Sequence, residues 1–210
     1  MKCCPLCLSG RCSEHASDAA RTYTVCLDCE LVFVTEEHHV SEDEERARYE
    51  LHDNSLDNDE YMNYLREFAG EMQRIPVAGP KVLDFGSGPA RALEHILKEQ
   101  QIECVSYDPM FGIGPEALDS TYDIVVVCET VEHLRKLRQE ILLIKRLLNP
   151  GGHVMVRTEL YNEGTDFETW WYAKDTTHVN FFRLTTMVRV GELLDRGMFY
   201  TNGRNVVILG

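Results

Sequence analysis

The chain has 210 residues, 44% of them hydrophobic and 27% charged, which is the composition of a globular protein and not of a disordered one. Its longest strongly apolar run, residues 124–128, is far too short to cross a bilayer, and its N-terminus lacks the apolar stretch of a secretory signal, so we expect a cytoplasmic protein with no membrane partner. The formal net charge of −14 argues against a nucleic-acid partner, because proteins that bind duplexes usually present a basic surface.

Residues 1–40 form a cysteine-rich segment that holds six of the eight cysteines and ends in a short apolar strand. In a cytoplasmic protein, clustered cysteines favour a metal site over disulfide bonds. Two C-x-x-C pairs stand 18 residues apart, Cys4 with Cys7 and Cys26 with Cys29. Each pair offers two thiolates, and two pairs complete the tetrahedral site of a zinc ribbon. Four cysteine ligands leave no open position on the zinc, so the site should be structural.

Three further residues leave the ligand set open. Cys3, Cys12 or His15 would each be able to replace one of the four proposed cysteines. A redox role for the C-x-x-C pairs has less support, because the strand–helix context that such a role requires is absent from this segment.

Residues 41–75 are acidic and aromatic, and we expect them to form a helical linker or lid. Aromatic and apolar residues recur there at helical spacing: Tyr61, Tyr64, Leu65, Phe68 and Met72. Pro76, Gly79 and Pro80 then interrupt the chain before the next unit begins.

In residues 76–210 strands and helices alternate, which predicts a Rossmann-like α/β fold, a parallel sheet with helices on both faces. The predicted strands are residues 82–85, 102–107, 122–128, 153–158 and 206–209, and the predicted helices are residues 90–100, 133–148 and 185–196. The strand at 122–128 is apolar on both faces, as a central parallel strand should be.

The strongest chemical feature is a glycine-rich turn between the first of these strands and its helix. Its residues are Asp84, Phe85, Gly86, Ser87 and Gly88. The glycines let the backbone approach a ligand, and the free N–H groups of a helix start favour an anionic group. Asp108 ends the following strand, where an acid can accept hydrogen bonds from both hydroxyls of a ribose. The pattern therefore predicts an adenosine-containing ligand with an anionic group.

Dinucleotides and S-adenosylmethionine both contain adenosine and an anionic group, and the residues favour S-adenosylmethionine. A dinucleotide fingerprint requires a third glycine at the position where this chain has Arg91. The carboxylate of Asp84 also suits a cationic amino group better than a pyrophosphate. S-adenosylmethionine combines a sulfonium, an amino group, a carboxylate and a ribose, and it matches this mixture.

These motifs resemble those of the class I S-adenosylmethionine-dependent methyltransferases over residues 80–210. The matching segments are Asp84-Phe85-Gly86-Ser87-Gly88, Tyr107-Asp108-Pro109, residues 128–134 and residues 148–152. The resemblance implies that Pro109 lies beside the cofactor with Asp108. Glu129 and Thr130 would face its methionine end, whereas His133 either faces the cofactor or only opens the next helix.

One departure from that family lies between the second and third predicted strands. Only residues 109–121 separate them, whereas most class I members fit a helix and a further strand there. We therefore expect one strand–helix unit to be missing and the adenine pocket to differ from the usual one.

A second candidate site follows the strand at 153–158, at the sheet edge where open α/β sheets bind ligands. Trp170, Trp171 and Tyr172 would form aromatic walls for a substrate. His178 would act as a general base, with Asp175 orienting its ring. The alternative is a loop packed by its tryptophans, in which His178 is a structural hydrogen-bonding residue.

This stretch resembles a W-x-Y-x-x-D-x-T-H pattern in a subgroup of bacterial methyltransferases that also begin with a cysteine-rich segment. The matching residues are Trp170, Tyr172, Asp175, Thr177 and His178. Residues 48–54 resemble the same subgroup's approach to the domain, which implies that Tyr49 and His52 close over the active site. Helix-cap and surface roles are the alternative for both residues.

We therefore predict methyl transfer from S-adenosylmethionine to a small-molecule acceptor, with a structural zinc. An RNA-base methyltransferase is the first alternative, because certain ribosomal RNA methyltransferases also pair a zinc module with this fold. The few basic residues of the cysteine-rich segment, Lys2, Arg11 and Arg21, argue against it. A non-catalytic cofactor-binding or protein-interaction module is the second alternative.

Overall fold

The structure is a computed structural model that describes residues 3–18, 21–51 and 54–210. The strands are β1 (Cys12–Ser17), β2 (Thr22–Cys26), β3 (Val32–Val34), β4 (Lys81–Phe85), β5 (Glu103–Tyr107), β6 (Tyr122–Cys128), β7 (Leu148–Arg157), β8 (Asn180–Phe181), β9 (Met198–Thr201) and β10 (Val206–Leu209). The α-helices are α1 (Glu42–Glu50), α2 (Asp59–Gly70), α3 (Ala92–Glu99), α4 (Leu137–Leu147) and α5 (Leu184–Leu194). Short 3₁₀ turns cover Glu36–His38, Glu71–Arg74, Pro115–Asp119, Val131–His133 and Trp171–Lys174.

The central sheet has six strands in the order β5-β4-β6-β7-β10-β9. The pairs from β5 to β7 are parallel, which confirms the predicted Rossmann-like sheet. β10 instead pairs antiparallel with both β7 and β9, so the sheet is mixed and not wholly parallel. The turn between β9 and β10 is short enough for a hairpin and far too short for a parallel crossover.

The connection from β5 to β6 contains only a 3₁₀ turn, Pro115–Asp119, and an isolated bridge between Asp108 and Ile113. β5 is consequently one edge strand of the sheet, and β9 is the other. The expected loss of one strand–helix unit is confirmed at this place.

The two faces of the sheet carry separate cores because side chains alternate along each strand. Val82, Ile124, Val126 and Met155 pack with α2 and α3, whereas Leu83, Val125, Val127 and Val154 pack with α4 and α5. The predicted helix at residues 133–148 was wrong at its start, because α4 begins only at Leu137. A 3₁₀ turn, Val131–His133, precedes α4.

The cysteine-rich segment folds as a small antiparallel sheet, β1-β2-β3-β8. Its last strand comes from the far end of the chain, since Val32 of β3 pairs with Phe181 of β8. Leu6, Leu31 and Phe33 belong to the same core as α4 and α5. The predicted division at residue 40 stays a prediction, but the two parts share a sheet and a core. No helix among the described residues has the length and apolar character needed to cross a membrane.

Candidate active site

A cavity of about 1640 Å³ lies at the carboxyl ends of β4, β5, β6 and β7. Parallel strands end at the same edge of a sheet, so residues far apart in sequence meet there. The cavity is lined by residues 84–90, 108–111, 128–130 and 133–136, by parts of α1 and α2, and by Trp171, Tyr172, Asp175 and His178. Both candidate sites of the sequence therefore open into one space.

The glycine-rich turn has the backbone that its residues require. Gly86 (φ +84°) and Gly88 (φ +64°) adopt the left-handed region that favours glycine. The N–H of Gly86 donates to the carbonyl of Tyr107 at 2.8 Å, which ties the turn to the end of β5. A Cβ on Gly86 would overlap the side chain of Thr130, whereas nothing lies within 4 Å of a Cβ position on Gly88. Gly86 is thus a packing position, and Gly88 borders open space.

Asp84 is a buried acid at the end of β4, with 3% of its surface exposed. Burial, with the nearby charges of Asp108 and Glu94, raises the pKa of Asp84 to about 7. Among the described residues none donates a hydrogen bond to its carboxylate. A cationic group of a ligand would stabilise the ionised form of this carboxylate, so Asp84 fits the ammonium of S-adenosylmethionine.

Asp108 directly follows β5 and borders the glycine-rich turn on its other side. Its Oδ2 accepts a hydrogen bond from the N–H of Gly88 at 2.9 Å, and its Oδ1 accepts one from the N–H of Met110 at 3.0 Å. Each carboxylate oxygen can accept more than one hydrogen bond, so Asp108 keeps capacity for ribose hydroxyls. Phe85, Ser87 and Pro109 line the same part of the cavity.

Glu129 lies just after β6, with a left-handed backbone (φ +45°) that turns its side chain into the cavity. Its Oε1 accepts a hydrogen bond from the hydroxyl of Tyr64, and its Oε2 lies 3.1 Å from the hydroxyl of Tyr172. Thr130 donates to the carbonyl of Cys128 at 2.9 Å and contacts the glycine-rich turn. Glu129 therefore joins α2 to the loop that carries His178.

His133 lines the cavity and lies in the 3₁₀ turn before α4, so it does not open that helix, and its contact with a cofactor stays a prediction. Its Nδ1 lies 3.2 Å from the carbonyl of Thr177. A row of aromatic rings runs from Tyr49 to His133, His178 and Tyr172, with centroid separations of 5.0, 4.7 and 4.2 Å. The hydroxyl of Tyr49 donates to Glu45 at 3.0 Å. His52 lies outside the described residues.

His178 is buried and is held by the backbone. Its Nδ1 lies 2.8 Å from the carbonyl oxygen of Tyr172, which can only accept a hydrogen bond. Nδ1 therefore carries the proton, and Nε2 keeps a lone pair. Burial lowers the pKa of His178 to about 4, so the ring is neutral at pH 7.

Asp175 has different partners from those that the sequence predicted. Its Oδ1 accepts hydrogen bonds from the N–H and hydroxyl of Thr177 at 3.0 and 2.6 Å, and its Oδ2 accepts two from Arg48 at 3.1 and 3.0 Å. Burial alone would raise the pKa of Asp175, but these hydrogen bonds outweigh it and hold the pKa well below its usual value. The carbonyl of Tyr172 takes the orienting place on His178 that we expected Asp175 to fill.

The two tryptophans have separate surroundings. Trp171 is 66% exposed and lines the cavity together with Tyr172. Trp170 instead packs on Phe167 and Phe181, with ring centroids 5.3 and 5.8 Å away, and does not line the cavity. Trp171 and Tyr172 can therefore contact a substrate directly, whereas Trp170 supports the loop.

Sequence analysis missed a buried acid beneath this row of rings. Glu132 has no exposed surface, and its Oε1 accepts a hydrogen bond from Tyr172 at 2.6 Å. Burial, with the charge of Glu129, raises the pKa of Glu132 well above its usual value. Glu132 stands in the segment already matched at residues 128–134, but nothing in the sequence separates a buried acid there from one that faces a ligand.

The four predicted zinc ligands converge. The Sγ atoms of Cys4 and Cys29, and those of Cys7 and Cys26, lie 3.5 Å apart, and all four lie within 4.8 Å of one another. A zinc–sulfur bond of about 2.3 Å implies tetrahedral sulfur separations of about 3.8 Å, so these residues fit the metal. Cys12 lies outside this group, with its Sγ 3.5 Å from the carbonyl of Ser9.

The other alternative ligands also lie elsewhere. Cys3 is exposed, and His15 packs edge-on against Phe167 with ring centroids 4.8 Å apart. The described thiols thus favour the two C-x-x-C pairs as one ligand set.

The family described as Methyltransferase domain matches residues 52–194 of the chain. No curated protein matches the chain. Among solved structures, the Burkholderia thailandensis 1,6-didemethyltoxoflavin-N1-methyltransferase with S-adenosylhomocysteine is 14% identical, over 93% of this chain and 96% of that one, with a TM-score of 0.52. Streptomyces venezuelae DesVI is 15% identical, over 81% of this chain and 98% of that one, with a TM-score of 0.51.

The chain spans only about half of another similar structure, CalO1, a methyltransferase in calicheamicin biosynthesis. The two are 13% identical over 71% of this chain and 55% of CalO1, with a TM-score of 0.51. At such identities the likeness is one of fold.

Proposed function

We propose that this chain, which belongs to the methyltransferase domain family, transfers a methyl group from S-adenosylmethionine to a small-molecule acceptor. One observation carries the proposal: the same cavity is lined by the glycine-rich turn with Asp84 and Asp108, and by His178 with its neighbouring rings. A cofactor and an acceptor can therefore be held next to each other, which is what a group transfer requires.

The cofactor would be held by Asp84, Gly86, Gly88 and Asp108. The carboxylate of Asp84 would pair with its ammonium, and Asp108 would accept hydrogen bonds from its ribose. Bound there, the cofactor supplies an electrophilic methyl group on a positively charged sulfur. The hydroxyls of Tyr64 and Tyr172 lie against the two carboxylate oxygens of Glu129, which supports a fixed position for this acid, and its proposed place is the methionine end of the cofactor.

At the acceptor end, His178 would accept at Nε2 the proton that the acceptor loses on methylation. The low pKa of His178 keeps Nε2 unprotonated at neutral pH, which is the state that a proton acceptor needs. The charge of Asp175 favours the protonated ring, although the two side chains are not hydrogen-bonded. Trp171 and Tyr172 would form a wall against the acceptor.

α1 would cover this end of the cavity as a lid. Arg48 joins it to Asp175, and Glu45 joins it to Arg135 with a separation of 2.5 Å. Tyr49 reaches from α1 to the ring of His133. We propose the same covering role for His52 from its place in the sequence.

The two C-x-x-C pairs would hold a structural zinc. One comparison protein, the Burkholderia enzyme, is named for a small-molecule acceptor, 1,6-didemethyltoxoflavin. The strongly acidic chain is a poor match for RNA, so a small-molecule acceptor is the better supported choice.

Calorimetry on zinc-loaded protein tests the central step. We expect S-adenosylmethionine and S-adenosylhomocysteine to bind with a dissociation constant on the order of micromolar, and a dinucleotide such as NAD not to bind. No heat of binding with either adenosyl compound would overturn the proposal. Release of S-adenosylhomocysteine in the presence of RNA, and with no small molecule, would overturn the choice of acceptor.

A further inference from the structure

Arg21 belongs to the cysteine-rich segment, yet it is buried against the loop that carries His178, with 4% of its surface exposed. Its guanidinium donates hydrogen bonds to the backbone carbonyls of Asp175 and His178, both at 3.1 Å, and to the carbonyl of Ala173. A guanidinium is a rigid plane of five N–H donors, so it fixes the relative positions of the carbonyls that it binds.

Neighbouring residues hold Arg21 and the loop together. The N–H of Arg21 donates to Asp18 Oδ1 at 2.7 Å. The hydroxyl of Tyr23 lies 3.0 Å from both Arg21 Nη2 and the carbonyl of Ala173. Just past His178, the N–H of Val34 donates to the carbonyl of Val179 at 2.9 Å. The cysteine-rich segment is therefore hydrogen-bonded to the loop on both sides of His178.

We propose that Arg21 is a positioning residue, which fixes the backbone of residues 173–178 so that His178 presents Nε2 to the methyl acceptor. The proposal rests on the function proposed above for His178. It gives the cysteine-rich segment a role in the reaction without any contact with cofactor or acceptor. The loop needs such a support, because residues 171–178 contain only one short 3₁₀ turn, Trp171–Lys174.

The charge of Arg21 adds a second effect. Among the described residues, the charged and titratable groups around His178 are Arg21, Arg48, Glu132, His133, Tyr172 and Asp175. Burial lowers the pKa of His178 most, Asp175 raises it, and the two arginines lower it further. Removing Arg21 takes away a positive charge, which raises the pKa of His178. A loosened loop also lets water reach the ring, which weakens burial, the largest cause of the low pKa.

The experiment is a pH titration by NMR of the zinc-loaded protein labelled at its histidine rings, with His178 assigned from the spectrum of His178→Gln. Arg21→Gln removes the charge and the fork of donors, whereas Arg21→Lys keeps the charge and loses the fork. Arg11→Gln is the matched control, because Arg11 lies in the same segment but is exposed and pairs with Asp28 at 2.6 Å, away from the loop.

We expect the pKa of His178 to rise from about 4 toward its ordinary value in Arg21→Gln, to rise less in Arg21→Lys, and to stay unchanged in Arg11→Gln. Affinity for S-adenosylmethionine should be the same in all variants. With an acceptor in hand, kcat should fall in both Arg21 variants at unchanged KM for the cofactor. A His178 that titrates as in the wild type in both Arg21 variants would overturn the proposal.

A milder variant covers the case in which Arg21→Gln does not fold. Tyr23→Phe removes only the hydroxyl beside the carbonyl of Ala173, and a smaller rise in the pKa of His178 is expected. An unchanged pKa there would count against the proposal. Failure of wild-type protein to bind S-adenosylmethionine would overturn the proposed function and the catalytic purpose of this positioning, whereas the titration still reports whether Arg21 holds the loop around His178.

Discussion

At the cofactor end of the cavity, the groups that would touch a ligand come from the ends of two adjacent parallel strands. Residues 84–88 span the end of β4 and the turn after it, and Asp108 follows β5 and accepts a hydrogen bond from the backbone N–H of Gly88. At the acceptor end, side chains come from α1, from the segment after β6 and from the 171–178 loop, with Arg21 behind them. The first end depends on local turns and strand order, and the second depends on contacts between distant segments.

This difference predicts that a substitution that disrupts one end leaves the structure of the other end intact. Disruption of the cysteine-rich segment should displace residues at the acceptor end, because Arg21 and β8 connect the two. The turn after β4 should keep its structure. Damage to the turn should abolish cofactor binding and leave His178 in its normal environment.

The largest effect should follow loss of the zinc. We expect Cys26→Ser to lose stoichiometric metal, and with it binding energy of roughly 10–16 kcal/mol that orders a segment with little core of its own. Elemental analysis measures the metal, and the NMR signal of His178 reports the acceptor end. Calorimetry should still detect S-adenosylmethionine binding.

Cys12→Ser is the control for that substitution. Its thiol is near the cluster but outside it, so this variant should keep its zinc. Loss of zinc in Cys12→Ser, or retention in Cys26→Ser, would show that the ligand set is wrong.

The next largest effect should be at the glycine-rich turn. We expect Gly86→Arg to abolish binding of S-adenosylmethionine, because a Cβ there overlaps Thr130 and φ is +84°. Gly203→Arg is the matched control, since Gly203 also has a positive φ (+75°) but nothing within 4 Å of its Cβ position. Binding by Gly86→Arg, or its loss in Gly203→Arg, would contradict the assignment of the turn to the cofactor.

The residues of the cofactor end could be predicted from the sequence because consecutive strands, turns and helices determine their positions. The spacing from Gly88 to Asp108 is fixed by one helix and one strand, and the structure joins the two by a hydrogen bond of 2.9 Å. The missing strand–helix unit also followed from the length of one connection. The start of α4 was predicted wrongly, because the hydrophobic pattern does not separate the 3₁₀ turn Val131–His133 from the first turn of a helix.

The acceptor end was predictable only as a collection of residues. The sequence indicated His178 and Asp175, but their hydrogen bonds depend on Tyr172, Thr177 and Arg48. Such partners are set by tertiary packing and leave no periodicity in the chain. The pairing of β3 with β8 could not be predicted from the sequence for the same reason, since a strand of two residues is too short to show an alternation of apolar and polar side chains.

At the acceptor end itself, the expected effect is on turnover alone. His178→Ala should lower kcat by roughly 10²–10⁴-fold, the usual contribution of a general base, with cofactor affinity unchanged. His95→Ala is the control, because His95 is half-exposed on α3 and faces Glu99 at 3.3 Å. Steady-state rates of S-adenosylhomocysteine release provide the measurement, and wild-type turnover in His178→Ala would remove this residue from catalysis.

The smallest effect is a pH dependence that belongs to the cofactor end only. Burial and the charge of Asp108 raise the pKa of Asp84 to about 7 in the free protein, so its carboxylate is half ionised near that pH and mostly protonated below it. Because a raised pKa means that the folded protein favours the protonated acid, this part of its stability is lost as pH rises through 7, and a bound ammonium recovers it.

Affinity for S-adenosylmethionine should therefore increase roughly fivefold from pH 6 to pH 7, with release of a proton on binding. Calorimetry in buffers of different ionisation enthalpy measures both quantities. Asp84→Asn should bind more weakly and lose this dependence, whereas Arg21→Gln should keep it, because Arg21 acts only on the acceptor end. An identical pH profile in wild type and Asp84→Asn would mean that the ammonium is held elsewhere, and the contrast between the two ends would then lose its electrostatic basis.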